Sequence, residues 1–164
     1  MAPATAATLA AGAFLIPLAL SASSSPSPNH PRVFLWYRSL RTPSFKPPDW
    51  LIPLAWFGIE VALATAAYRL LRASRSPGRQ RALAWLSWNI VTIGGWSELF
   101  FKRRSLALST VAAASMVGTG AQFVREARQF DTVASRAGMP FVAWVSFATV
   151  LTATIWRLNR RRSV

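Results

Sequence analysis

The stretch AGMPFVAWVSFATVLTATIW, Ala137–Trp156, decides the fold: it runs twenty residues without a charged side chain. An α-helix of that length spans roughly 30 Å, the thickness of a bilayer's hydrocarbon core. Alone, it could be the buried helix of a soluble protein. Four more runs accompany it. Ser105–Val124 is uncharged throughout, and Ala82–Ser97 is uncharged and continues past Glu98 through Leu99–Phe101. Trp50–Ile59 and Val61–Tyr68 are separated by Glu60 alone, and Met1–Pro31 carries no charge. Five apolar runs in 164 residues leave too little polar sequence to coat a soluble bundle. The pattern predicts an all-α, integral membrane, five-transmembrane-helix bundle forming one domain over residues 1–164. Its helices are expected near 4–23, 50–70, 82–101, 105–126 and 137–158, with a long loop over 24–49.

The charges support this reading. Nineteen Lys plus Arg stand against five Asp plus Glu, an excess found in nucleic-acid-binding proteins and in the loops of membrane proteins. Here the cations sit between the apolar runs. Arg32, Arg38, Arg41 and Lys46 follow the first run; Arg69, Arg72, Arg75, Arg79 and Arg81 follow the second. Lys102, Arg103 and Arg104 follow the third; Arg125, Arg128 and Arg136 follow the fourth; Arg157, Arg160, Arg161 and Arg162 follow the fifth. A cation at the bilayer centre costs about 2.5–3.5 kcal/mol on insertion scales, so spans exclude it. No nucleic-acid partner is expected; the expected surroundings are membrane lipid, in a bacterial cell membrane or an organellar one. Eleven basic residues fall on the side of the first loop and the C-terminus against eight on the other, which predicts a cytoplasmic C-terminus.

The same sequence excludes several chemistries. There is no cysteine, and His30 is the only histidine. A thiolate or His-based metal site and a Ser-His-Asp triad are therefore not expected. Gly94-Gly95 and Gly118-x-Gly120 lack the strand, spacing and Lys of a phosphate loop. In the first run, Leu20-Ser21-Ala22-Ser23 is similar to a signal-peptide cleavage region, but no basic residue precedes it. A retained first helix is the expectation. The following loop carries Pro43, Pro47 and Pro48, which no continuous helix accommodates. Its apolar Phe34-Leu35-Trp36-Tyr37 is expected to cover one mouth of the bundle or to lie at the interface.

The chain has eight tryptophans, and an interfacial belt is the ordinary reading of such residues. Trp50, Trp85 and Trp156 lie near run ends and fit a belt; Trp56, Trp96 and Trp144 lie deeper in their motifs. Trp85, Trp88, Thr92 and Trp96 recur at helical spacing, as do Phe141, Trp144 and Ala148. Spacing alone allows either helix packing or a pocket for a flat apolar ligand. Glu60 is a carboxylate inside a span, where it must face the interior, pair or be protonated, unless loop water reaches it. Glu98 has Lys102 at i+4 and is expected to form a surface ion pair. Ala114, Gly118 and Gln122, with Ser115 and Thr119, form a row suited to close helix approach, within this chain or with a second subunit.

Three motifs, in order, resemble the TspO/MBR family, the tryptophan-rich sensory proteins also called translocator protein or peripheral-type benzodiazepine receptor. The first is Trp36-Tyr37-x-x-Leu40-x-x-Pro43-Ser44-Phe45-x-Pro47-Pro48-x-Trp50 followed by Trp56. The second is Trp96-Ser97-x-Leu99-Phe100-Phe101. The third is Pro140-Phe141-x-Ala143-Trp144-x-x-Phe147-Ala148, then Leu151 and Trp156-Arg157-x-Asn159. The resemblance implies a five-helix bundle, often a homodimer. It also implies a pocket beneath the first loop that binds porphyrins such as protoporphyrin IX, with no required cofactor. Ligand-binding residues would be Trp36, Trp56, Glu60, Trp96, Phe100, Phe141, Trp144 and Ala148. The function implied is a binding protein that senses, transports or scavenges such ligands. Alternatives are a porphyrin-degrading photo-oxidase using Trp56 and Trp144, or an assembly factor without a ligand.

The sequence departs from the family pattern at several positions. Ile93 replaces the Asn usual three residues before the third-helix Trp, and Thr42 replaces Lys before Pro43. Phe45 stands for Trp, Phe141 for Tyr, Thr152 for Asn, and Glu60 for a common Tyr. Thr149–Arg157 has no Tyr, so the sterol-recognition pattern of animal members is incomplete here.

Overall fold

A computed structural model describes residues 1–22, 24–26 and 29–160. It is all helical: α1 Pro3–Ala22, α2 Pro31–Ser39, α3 Leu51–Arg72, α4 Pro77–Ser97, α5 Leu106–Arg128 and α6 Thr132–Asn159. A π-helical turn, Glu98–Lys102, extends α4. Among the described residues, α1, α3, α5 and α6 are strongly apolar and long enough to span a bilayer. Helix α4 has the length but opens on Gly78-Arg79-Gln80-Arg81, which lowers its mean hydropathy.

Local chemistry sets the ends. Helix α4 starts five residues before its uncharged run because Ser76 caps it: the Ser76 hydroxyl accepts from the Arg79 backbone N–H at 3.1 Å, and Pro77 fills the first position. Helix α6 likewise starts at Thr132, where Asp131 Oδ1 accepts from the Val133 and Ala134 N–H groups, each at 2.9 Å. Pro31 opens α2 inside the expected loop. Pro17 and Pro140 sit within α1 and α6, as lipid-embedded helices permit. The expected end of the first helix, Ser23, lies outside the described residues, as do Arg161 and Arg162.

The five long helices form a closed ring in the order α1, α3, α6, α5, α4. Close approaches need small residues. A Cβ on Gly94 of α4 would lie 2.4 Å from Leu20 Cβ of α1, and one on Gly138 of α6 would lie 2.6 Å from the Phe123 ring of α5. The continuous core holds Leu63, Leu70, Leu86, Phe123, Phe141 and Val145. By contrast, Ala114, Ser115, Gly118 and Gln122 of the small-residue row face away from the rest of the chain. Thr119 turns inward and donates to Asn89 Oδ1 of α4 at 2.7 Å.

A loop-capped aromatic site

Helix α2 and the chain after it lie over the bundle end where α4 finishes, α5 begins and α6 finishes. Asn159, near the end of α6, clamps this segment. Its carboxamide oxygen accepts from the Arg41 N–H at 3.1 Å, and its Nδ2 donates to the Arg41 carbonyl at 2.9 Å. A second clamp is internal to the loop. The Tyr37 hydroxyl donates to Asp49 Oδ1 at 3.1 Å, and the Lys46 ammonium also hydrogen-bonds Asp49. That bond holds the Asp49 carboxyl below its ordinary range, while burial pushes the Tyr37 phenol up.

Two aromatic clusters lie under the loop. In the first, the Phe100 ring stacks on Trp96 at 4.8 Å and 18°, and Trp36 of α2 meets Phe100 edge-on at 5.8 Å. Tyr37 meets Phe101 at 5.7 Å. Trp96 Nε1 donates to the Ser109 carbonyl at 2.9 Å, which orients the indole. The π turn makes the convergence possible. Its Arg103 N–H reaches back to the Glu98 carbonyl at 2.9 Å, and the extra residue rotates Phe100 and Phe101 toward α2. Arg104 leaves the turn at φ 54° and places its guanidinium 5.5 Å from the Trp36 ring centroid.

The second cluster joins α3 to α6. Trp56 meets Trp144 edge-on at 6.4 Å and 82°. Phe147 follows at 5.6 Å from Trp144, and Phe45 of the loop reaches Phe147 at 6.4 Å. Trp144, Ala148, Leu151 and Ile155 form one row of α6. Trp144 belongs to the second cluster, while Leu151 and Ile155 pack in the first. Ala148 therefore sits at the junction, with the smallest side chain of the row.

Glu60 lies one turn below Trp56 and is 8% exposed. Among the described residues, no hydrogen bond or ion pair reaches its carboxylate. Glu98, at the membrane edge, pairs with Lys102 at 3.4 Å and accepts from the Ser24 hydroxyl at 3.2 Å.

The remaining candidates fall elsewhere. Phe141 is fully buried against Gly120 of α5, so its structural place is the α5–α6 seam rather than either cluster. Trp85 and Trp96 pack on the core, but Trp88 is 57% exposed because it falls on the flank of their row. Phe45, Phe101 and Phe147 are cluster members that spacing arguments passed over; Phe147, three residues after Trp144, carried the readable signal. Two surface hollows among the described residues lie away from Trp56, Trp96 and Trp144. One of about 400 Å³ is lined by Arg69, Arg128 and Asp131 at the opposite bundle end. The other, about 380 Å³, is an apolar groove between α1 and α3 lined by Phe14, Val61 and Tyr68 among others.

The sequence pattern of the TspO/MBR family matches residues 5–157, from α1 through the loop and both clusters to the end of α6. The chain belongs to the TspO/MBR family. It is 29% identical to the tryptophan-rich sensory protein of Cereibacter sphaeroides over 127 residues, 77% of this chain and 78% of that protein. It is 29% identical to the tryptophan-rich protein TspO of Chlorobaculum tepidum over 153 residues, 90% and 94% of the two chains. The translocator protein of Sus scrofa is 26% identical over 129 residues, 77% and 76%. As a TspO/MBR member with these spans, the chain is an integral multi-pass membrane protein with bacterial relatives.

Proposed function

We propose that this TspO/MBR protein is a membrane-embedded binding protein for porphyrins such as protoporphyrin IX, or related flat hydrophobic molecules, acting as sensor, transporter or scavenger. One observation carries the reading: two aromatic clusters flank the small side chain of Ala148 beneath the clamped loop. Flat apolar ligands gain most from aromatic faces in a water-poor site. Trp56 and Trp144 would take one side of the macrocycle, and Trp36, Trp96 and Phe100 the other. Phe141 would support Trp144 from behind through the α6 backbone. The edge-to-face contact of Trp56 with Trp144 would part on entry, so binding couples to motion of α3 against α6. The exposed Arg38 and Arg41 suit the propionates of a porphyrin; Lys46 is already engaged by Asp49.

Titrating the detergent-purified protein with protoporphyrin IX should give saturable tryptophan quenching. Trp144→Ala and Trp56→Ala should each weaken binding by about tenfold or more, from lost ring contact and apolar area. Unchanged affinity in both would reject the site. Illuminating the complex separates the photo-oxidase reading: a new absorbing product that depends on Trp56 or Trp144 would support it. A homodimer is part of the same proposal, since Ala114, Ser115 and Gly118 offer a small-residue face that this chain leaves uncovered. Mass measurement in detergent at twice the monomer mass, lost on Gly118→Leu, is the expected result.

A further inference from the structure

We propose that Glu60 makes this site selective for flat hydrophobic molecules carrying an N–H donor or a protonated amine, an inference that rests on the ligand site proposed above. The chain has five carboxylates, and four have cationic partners. Asp49 pairs with Lys46, Glu98 with Lys102, Glu126 with Arg81 and Asp131 with Arg69. Glu60 is the exception among the described residues, and it is also the one in the middle of a span. It stands about 14 Å along α3 from Leu51, at 1.5 Å per residue. Trp56, Glu60, Leu63 and Ala67 form one inward row of that helix, with Leu63 and Ala67 buried in the core.

Among the described residues, no cationic side chain stands at the depth of this carboxylate. The contacts of Trp56 with Trp144 and of Arg69 with Asp131 fix the α3–α6 register and set Glu60 opposite Pro140 and Phe141. The facing stretch of α6 is uncharged from Ala137 to Trp156. So are α1, the 82–97 stretch of α4 and the 105–124 stretch of α5. A buried ionisable group without a partner is costly to keep, and inside a membrane such groups mark ligand or ion sites. The missing partner is therefore supplied by the ligand, one turn below the tryptophan pair. An N–H donor or an ammonium makes a charge-assisted hydrogen bond there, strengthened by the low local dielectric.

A matched pair of probes tests this. Pyrenemethylamine and pyrenemethanol share one flat ring and differ in the terminal ammonium or hydroxyl. Binding of each is read by tryptophan quenching in a non-ionic detergent. The wild-type protein should bind the amine about tenfold more tightly or better. Glu60→Gln should bring the two affinities together by weakening the amine alone, while Trp144→Ala should weaken both. Equal affinities in the wild type, or a preference for the amine that survives Glu60→Gln, would overturn the proposal and leave the aromatic site standing. Failure of both probes to bind would overturn the site itself and this inference with it.

Discussion

Asn159 holds the loop with both ends of its carboxamide on the backbone of one residue, Arg41. Neither bond can be replaced by an apolar side chain, so Asn159→Ala leaves two backbone groups without their partner. The expected loss is about 1–3 kcal/mol, seen as a lower melting temperature and faster amide exchange around Arg41. Asn159→Asp keeps the acceptor but not the donor and should fall between. Asp49 gives the loop a pH dependence. Its carboxyl is held below the ordinary range by Lys46, so the folded state binds that proton more weakly than the unfolded chain. The stabilisation is complete above the ordinary carboxylate pKa and is lost as pH falls through the lowered value. Exchange protection over residues 37–49 should drop on acidification. In Asp49→Asn it should be lower throughout and should lose this pH dependence.

At the level of elements, glycines decide how the helices meet. Gly138 faces the Phe123 ring across the α5–α6 seam, where an added methyl has no room. Gly118, on the outward face of α5, has nothing within 4 Å of its missing Cβ. Gly138→Ala should destabilise the bundle by about 1–3 kcal/mol through overpacking. Within one protomer, Gly118→Ala should be neutral or stabilising by up to about 1 kcal/mol through helix propensity. Thermal unfolding in detergent compares them; equal effects would show that the seam yields. The π turn works in the opposite direction, turning side chains rather than admitting a neighbour. Without it, Phe100 and Phe101 would not both reach α2. Deleting one residue from Glu98–Lys102 should therefore detach the loop's aromatic contacts while α4 stays helical. The measurable sign is a loss of near-ultraviolet aromatic signal with far-ultraviolet helicity retained.

For the whole molecule, five spans put the N- and C-termini on opposite sides, and the heavier basic side is the loop side. A fluorescent reporter fused after Val164 should be bright in the cytoplasm, and an export-dependent phosphatase fused there should be inactive. The reverse pattern would invert the orientation. The number of spans and the positions of their charges were legible from sequence, because each is a property of one segment in its solvent. A run of about twenty uncharged residues meets the bilayer's thickness wherever its neighbours lie. The motifs around Trp36, Trp96 and Trp144 likewise gave the family. Which rings touch was not legible. Trp88 and Trp96 share a pattern, yet one faces outward and one is packed, because the ring order of helices selects the buried flank. Phe141 read as a site residue and lies in a seam, since only the α5–α6 register places Gly120 against it. Sequence marked Glu60 as a carboxylate inside a span. Only the assembled bundle determined that, among the described residues, it has no hydrogen-bond or ion-pair partner, because a pairing depends on what every surrounding helix brings to that depth.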